Sequence, residues 1–156
     1  MPSERSKHRV TLRRVRGEEY EFRHPRCAQQ RRADIEEVRQ MLAHGELELA
    51  EDELRWLLQD CPAFIEAHQL LGWVAEQQGQ LELARAHYGY AFELGLRPLR
   101  QVRRGRLDYR RPANRPWFAA AAGLYRSLLA QDDRRQAEEV LNTALHWDPE
   151  VRLAEL

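Results

Sequence analysis

The chain has 156 residues, of which 43% are hydrophobic and 32% charged, enough for one packed domain or a short repeat array. No stretch approaches the ~18 apolar residues of a membrane span, and no apolar segment follows the basic N-terminus, so we expect neither a membrane helix nor a secretory signal. The 25 basic and 25 acidic residues cancel, whereas a nucleic-acid-binding domain usually carries a basic excess.

Residues 1–30 form a basic N-terminal arm. Its apolar and polar residues alternate around Gly17, which predicts a short β-hairpin. We expect the hairpin to dock on helices, because an isolated hairpin is marginal in water. His24 and Cys27 have the spacing of metal ligands, but a second pair is missing, so no metal site is predicted. Cys27 and Cys61 could form a disulfide, yet two cysteines fit a reducing compartment equally well, and we expect a cytoplasmic protein.

Two similar segments follow, at about residues 31–62 and 65–96. The motif "GELELA" begins at Gly45 and "GQLELA" at Gly79, a spacing of 34 residues. In the second segment, apolar residues recur at helical spacing on both sides of Gly79, and that glycine suits a left-handed helix end. Each segment therefore predicts two antiparallel helices joined by a tight turn.

A third segment, residues 117–150, is displaced by an arginine-rich insertion at residues 97–116. Ala137 aligns with Ala84, and Asp132 takes the place of the turn glycine. The three prolines between residues 98 and 116 disfavour a long helix in the insertion, and Asn114 is placed to cap the helix that follows. The last helix has an apolar face that could pack on the C-terminal tail "VRLAEL" or on a second chain.

The second segment resembles a tetratricopeptide repeat, with the family's residues at Leu71-Gly72, Gly79, Ala84, Tyr88 and Ala91. The resemblance implies an all-α solenoid of three helix pairs over residues 31–156, preceded by the short arm. It also implies a protein that binds other proteins, because the first helices of such repeats line a concave groove for a peptide or helix. No catalytic motif is present, so we expect neither an enzyme nor a cofactor.

Carried over by position, the resemblance assigns Arg39, Trp73 and Arg126 to the same place in successive repeats. Tryptophan and arginine are frequent at binding hot spots. We also expect the acidic segment "GEEYEF" (17–22) of the arm to lie in or near this groove. The predicted groove residues are Arg32, Arg39, Gln69, Trp73, Gln77 and Arg126.

Two other functions stay open. The insertion could bind an anionic partner such as RNA, since arginines grip phosphates and an aromatic ring stacks on bases. We favour instead that its arginines neutralise the acidic residues 34–97, which carry a net charge of −9. A homo-oligomeric assembly element is the other alternative. The residues of the anionic-partner alternative are Arg100, Arg103, Arg104, Arg106, Tyr109, Arg110 and Arg111.

Overall fold

The computed structural model describes residues 7–156 of the chain. Most of these residues are helical, and a small sheet lies beside the helices. The elements in chain order are β1 (Thr11–Arg16), β2 (Glu19–Arg23), α1 (Arg26–Gln30), α2 (Arg32–Ala43), α3 (Leu47–Asp60), α4 (Ile65–Gln77), α5 (Leu81–Leu99), β3 (Arg106–Leu107), α6 (Arg115–Ala130), α7 (Arg134–Trp147) and a 3₁₀ turn (Leu153–Glu155).

The six long helices follow the three predicted helix–turn–helix segments. The turns contain residues with left-handed backbone: Gly45 has a φ of 75°, Gly79 one of 74° and Asp132 one of 59°. Aspartate tolerates this conformation better than most residues that carry a Cβ. The predicted turn positions are therefore confirmed, including the one without glycine. The short helix α1 was not predicted.

Apolar stripes on the helices merge into two core clusters. One contains residues of α2, α3 and α4, and the other joins α4–α7 with the arm and the C-terminal tail. Ala50, Ala84 and Ala137 are completely buried, as expected for small residues where helix backbones approach. Trp73 packs against both clusters. Leu153 of the tail is buried in the second cluster, so the tail folds back onto the helices.

The predicted hairpin is present, with its turn at Gly17, but it is part of a larger sheet. The strand order is β1-β2-β3, and β3 comes from the insertion, where Glu19 pairs with Arg106 in a parallel register. The protein is thus mainly helical rather than all-α. Phe22 anchors the hairpin, because its ring lies 5.7 Å from that of Trp117 in the core.

Asn114 precedes α6 at the N-cap position, but its side chain does not cap the helix. Its Oδ1 accepts a hydrogen bond from the Phe22 amide at 2.9 Å, and its Nδ2 donates to the Asp108 carbonyl at 3.0 Å. The predicted capping role is wrong, because the side chain is used to join the arm to the insertion.

Cys27 of α1 and Cys61 at the end of α3 form a disulfide, with their Cα atoms 5.7 Å apart. The bond fastens the start of the helical part to its first helix pair. Over residues 7–156, every helix is too short or too polar to cross a lipid bilayer.

Candidate functional site

One side of α4 carries a stripe of polar and aromatic residues. Glu66, Gln69, Trp73 and Glu76 follow one another at intervals of three, four and three residues, which places them on the same side of the helix. Arginines of the neighbouring helices contact both ends of this stripe. We call the four α4 residues and the arginines Arg32, Arg39 and Arg126 the α4 strip.

At one end of the strip, Glu66 receives two arginines of α2. Arg32 Nη1 donates to Glu66 Oε2 at 3.0 Å, and Arg39 donates to Oε1 through Nε at 3.1 Å and also through Nη2. The Glu66 side chain is only 8% exposed, whereas those of Arg32 and Arg39 are 60% and 46% exposed. A nearly buried carboxylate therefore orients two accessible guanidinium groups, and the cluster keeps one net positive charge.

At the other end, Glu76 receives Arg126 of α6. Arg126 Nε donates to Glu76 Oε2 at 3.2 Å and Nη2 to Oε1 at 3.1 Å, while the Tyr88 hydroxyl donates to Oε1 at 3.2 Å. Burial raises the pKa of Tyr88. Burial alone would lower the pKa of Arg126, but its hydrogen bonds to Glu76 outweigh this and raise it. This end of the strip is locally neutral and fixed.

The Glu66 end of the strip opens into a cavity of about 470 Å³. His24 lies in its wall, and its Nε2 is 2.7 Å from the Ala113 carbonyl oxygen. Burial is the main reason that the pKa of His24 is lowered, and the hydrogen bond to Ala113 opposes that effect. The cavity is a largely apolar recess beside the charged side chains of Arg32 and Glu66. Its lining consists of His24, Ala28, Gln29, Arg32, Phe64, Glu66, Pro112, Ala113 and Pro116.

The predicted groove residues divide into two groups. Arg39 and Arg126 hold carboxylates on the same stripe as Trp73, which is half-buried, so these three do share one side of the helices. Gln69 is only 9% exposed and contributes little surface. Gln77 is exposed and follows Trp73 by four residues, so it lies at the C-terminal end of the same side of α4.

The acidic segment of the arm does not occupy the α4 strip. Glu19 and Glu21 instead receive Arg111 of the insertion, at 3.3 Å each. Tyr20 packs beside Gly105, also in the insertion. The segment therefore does not lie in the groove, because the sheet holds it against the insertion. The arm does come near the groove, since His24 lines the cavity at the Glu66 end.

Most insertion arginines pair within the chain, but with partners other than those expected. Arg106 and Arg110 contact Glu150 of the C-terminal segment at 3.2 and 3.1 Å. Arg100 contacts Glu93, the one carboxylate of residues 34–97 that an insertion arginine contacts within the described part of the chain. The carboxylates that neutralise the insertion therefore come mainly from the C-terminal segment, through Glu150, and from the arm, through Glu19 and Glu21, which pair with Arg111.

Three further members of the anionic-partner alternative have different surroundings. Arg104 approaches Glu18 at 4.0 Å. Arg103 is exposed and has no ion pair with any residue from 7 to 156. The Tyr109 ring is half-buried, with its centroid 6.4 Å from that of Phe118, and Arg110 lies over it. Stacking on a base would require Tyr109 to leave these contacts.

Sequence reasoning missed the roles of Glu66 and Glu76. The signal that could have found them is their position, seven residues before and three residues after Trp73, on the side of α4 that meets both neighbouring first helices. The cavity beside Glu66 had no such signal, because Ala113 and Pro116 come from a different part of the chain.

Comparison of the chain with family models, with curated proteins and with solved structures finds no match. Within residues 7–156, no three His, Cys, Asp or Glu side chains are grouped as metal ligands would be.

Proposed function

We propose that the chain is a non-catalytic scaffold that binds a peptide or helix of another protein along the α4 strip. The observation that carries this proposal is the arrangement around Trp73. The half-buried indole lies between guanidinium groups held in place by Glu66, which is nearly buried, and by Glu76, which is partly buried. Prepositioned aromatic and arginine side chains suit binding, because less side-chain freedom is lost when a partner arrives.

We also propose that the three helix pairs are tetratricopeptide-type repeats. Support comes from residues at equivalent positions of the three helix pairs. Gly45, Gly79 and Asp132 each have left-handed backbone in the turn of their own helix pair. The alanines that follow in the second helices, Ala50, Ala84 and Ala137, are all completely buried. In such an array the first helices α2, α4 and α6 line one concave side, which is where the α4 strip would lie.

The chemistry of the strip restricts the ligand. Trp73 and the cavity walls favour an apolar or aromatic anchor, while the net positive charge near Glu66 favours one carboxylate beside that anchor. A strongly acidic ligand is less suitable, because Arg126 is already neutralised by Glu76. We therefore infer a partner segment with an apolar anchor and a single acidic neighbour.

The other interpretations receive less support. RNA binding through the insertion is disfavoured, since Arg106, Arg110 and Arg111 already contact carboxylates. No observation favours a homo-oligomer. The cytoplasmic location stays a prediction, and the disulfide counts against it, because reducing compartments keep most cysteines unpaired.

The test is selection of a random peptide library on the immobilised protein, followed by affinity measurement for the enriched peptides. Trp73→Ala should weaken their binding by about 2 kcal/mol, as truncation of a hot-spot residue does. Trp56→Ala is the matched control, because Trp56 is 49% exposed on α3 and lies outside the strip. Equal binding by wild type and a folded Trp73→Ala variant would rule out the proposed site.

A further inference from the structure

A second groove lies between the hairpin and the outer face of α5. It encloses about 1030 Å³, which compares with the ~300–1,000 Å³ of typical ligand pockets. None of its lining residues belongs to the α4 strip. We call it the edge groove; it is lined by His8, Arg9, Val10, Thr11, Leu12, Tyr20, Pro62, Ala63, Tyr90, Leu94, Arg97, Pro98, Gln101 and Val102.

One wall of the edge groove is the start of an edge strand. β1 pairs with β2 on one side only. Across the described residues, the backbone of Val10–Arg16 forms no hydrogen bond outside the hairpin. Edge strands with free amide and carbonyl groups are ready templates for an added strand. Thr11 and Leu12 of β1 line the groove together with residues 8–10, so the groove follows the chain into the start of the free edge.

The opposite wall is a straight row on α5. Tyr90, Leu94 and Arg97 lie on one side of the helix, at intervals of four and three residues. From Tyr90 to Pro98 this row extends ~12 Å at 1.5 Å per residue. On the facing wall, Thr11 and Leu12 begin β1, whereas His8 and Arg9 lie in a 3₁₀ turn and a bend before it. An extended peptide of about four residues would follow the full length of the row on α5.

The charge of the groove is one-sided. Its lining includes Arg9, Arg97 and His8 but no aspartate or glutamate. Within residues 7–156, neither Arg9 nor Arg97 takes part in an ion pair. The chain pairs most of its other arginines with carboxylates, so these two are available to a ligand. Arginine binds carboxylates with two parallel hydrogen bonds, which suits acidic side chains.

We propose that the edge groove binds an extended acidic peptide of a partner protein, which adds to β1 as a further strand. Its backbone bonds to the free edge of β1, and alternate side chains enter the groove toward Leu12, Leu94 and Val102. Its carboxylates meet Arg9 and Arg97. Strand addition with pockets for alternate side chains is a general mode of peptide recognition.

A second copy of this chain is a poorer occupant. Pairing of β1 with β1 would bring two sets of Arg9 and Arg97 together where no lining carboxylate offsets them. Single-stranded RNA is also less suitable, because such ligands need a basic track along the backbone, whereas most of this lining is apolar.

The experiment measures binding of the fluorescein-labelled peptide Glu-Val-Glu-Val-Glu-Val to the full chain by fluorescence polarisation. Binding should weaken about tenfold or more in Arg97→Glu, as expected when a charge-assisted hydrogen bond is lost. Arg103→Glu is the matched control, because Arg103 is also exposed and unpaired within residues 7–156 but lies outside the groove. It should leave the affinity unchanged.

Two peptides with N-methyl groups on alternate residues test strand addition itself. In a strand, successive amide groups point to opposite sides, so one methylated set should abolish binding and the other should be tolerated. Equal binding of both methylated sets, or equal weakening by Arg97→Glu and Arg103→Glu, would overturn the proposal. So would tighter binding of a lysine counterpart, Lys-Val-Lys-Val-Lys-Val, or of oligouridine. Dimerisation through β1 would overturn it as well.

Discussion

The α4 strip and the edge groove both combine arginines with aromatic side chains, but they use the arginines differently. In the α4 strip, Arg39 and Arg126 are held by Glu66 and Glu76. In the edge groove, no carboxylate lines the wall that contains Arg97. The first surface has arginines paired with carboxylates and little net charge, whereas the second has arginines that form no ion pair with any of residues 7–156.

The number of arginines at a surface therefore does not by itself determine which ligand it binds. A paired arginine has part of its donor capacity and most of its charge already used, so an incoming carboxylate must compete with the internal one. We therefore expect the α4 strip to select ligands by shape around Trp73, and the edge groove to select them by charge.

The largest effect that separates the two surfaces should come from Gly123 of α6. A Cβ at this position would overlap the ring of Tyr88, which is completely buried and also lies against Gly72 of α4. Gly123→Ala should therefore lower the free energy of unfolding by about 1–3 kcal/mol, as overpacking does. Urea denaturation measures the change. Peptide binding at the α4 strip should weaken, while binding at the edge groove should persist.

Gly89→Ala is the matched control for that substitution. Gly89 lies inside α5, and the nearest atom to an added Cβ there is Leu124 Cδ1 at 3.9 Å. This change should stabilise the protein by about 0.5–1 kcal/mol, because alanine favours a helix over glycine. If Gly123→Ala proved as stable as Gly89→Ala, Tyr88 would not hold α4 and α6 at a fixed separation.

An intermediate effect should come from Glu66→Gln, which frees Arg32 and Arg39. Stability should fall by about 1 kcal/mol, since the carboxylate is nearly buried but both arginines are exposed and screened by solvent. The α4 strip should then gain affinity for acidic peptides and behave more like the edge groove. Titration with the glutamate–valine peptide and its lysine counterpart measures this change, with Arg97→Glu present in both proteins to weaken binding at the edge groove.

Glu51→Gln provides the comparison for Glu66. Glu51 pairs with Arg55 on the surface of α3, at 2.9 Å. Loss of such an exposed pair costs only about 0.3–0.5 kcal/mol. Acidic-peptide affinity that rises equally in both variants would show that net charge, rather than release of the two arginines, controls binding.

The smallest expected effect is on the pH dependence of stability, and it involves His24 at the Glu66 end of the strip. Burial lowers the pKa of His24 from its ordinary 6.5, opposed by its hydrogen bond to Ala113 and by Glu66 and assisted by Arg32. Below pH 6.5 the unfolded chain therefore takes up the proton first, and stability falls as the pH falls toward the folded pKa. His24→Gln should reduce this loss.

Urea denaturation between pH 5 and 8 measures the His24 effect. His68 and His87 also have a pKa lowered by burial, so part of the loss should remain in the variant. An identical pH profile for wild type and His24→Gln would contradict the assigned burial effect.

The helix pairs could be predicted because their signal is local. The spacing of Gly45 and Gly79 and the helical period around them depend on residues close in sequence. The third strand could not be predicted, since β3 has only two residues and pairs with Glu19 and Tyr20, far away in the chain. The role of Asn114 was missed for the same reason, as its partner Phe22 is 92 residues away.

The candidate site was predictable in position but not in electrostatics. The repeat spacing identified Arg39, Trp73 and Arg126 as neighbours in successive units. It could not show that Glu66 holds two arginines, because an arginine-rich sequence offers many possible partners for each carboxylate. The edge groove left no sequence signal, since it forms only where the arm meets α5.

The most direct measurement is a two-dimensional ¹⁵N–¹H spectrum of the four tryptophan indole groups, recorded while a library-selected peptide is added. The indole N–H of Trp117 donates to the Phe92 carbonyl in the core, and Trp56 is exposed on α3, so both are internal references. We predict that the Trp73 signal shifts and saturates with the peptide while those of Trp56 and Trp117 stay in place. A saturating shift of Trp56 with an unchanged Trp73 signal would show that the partner binds elsewhere.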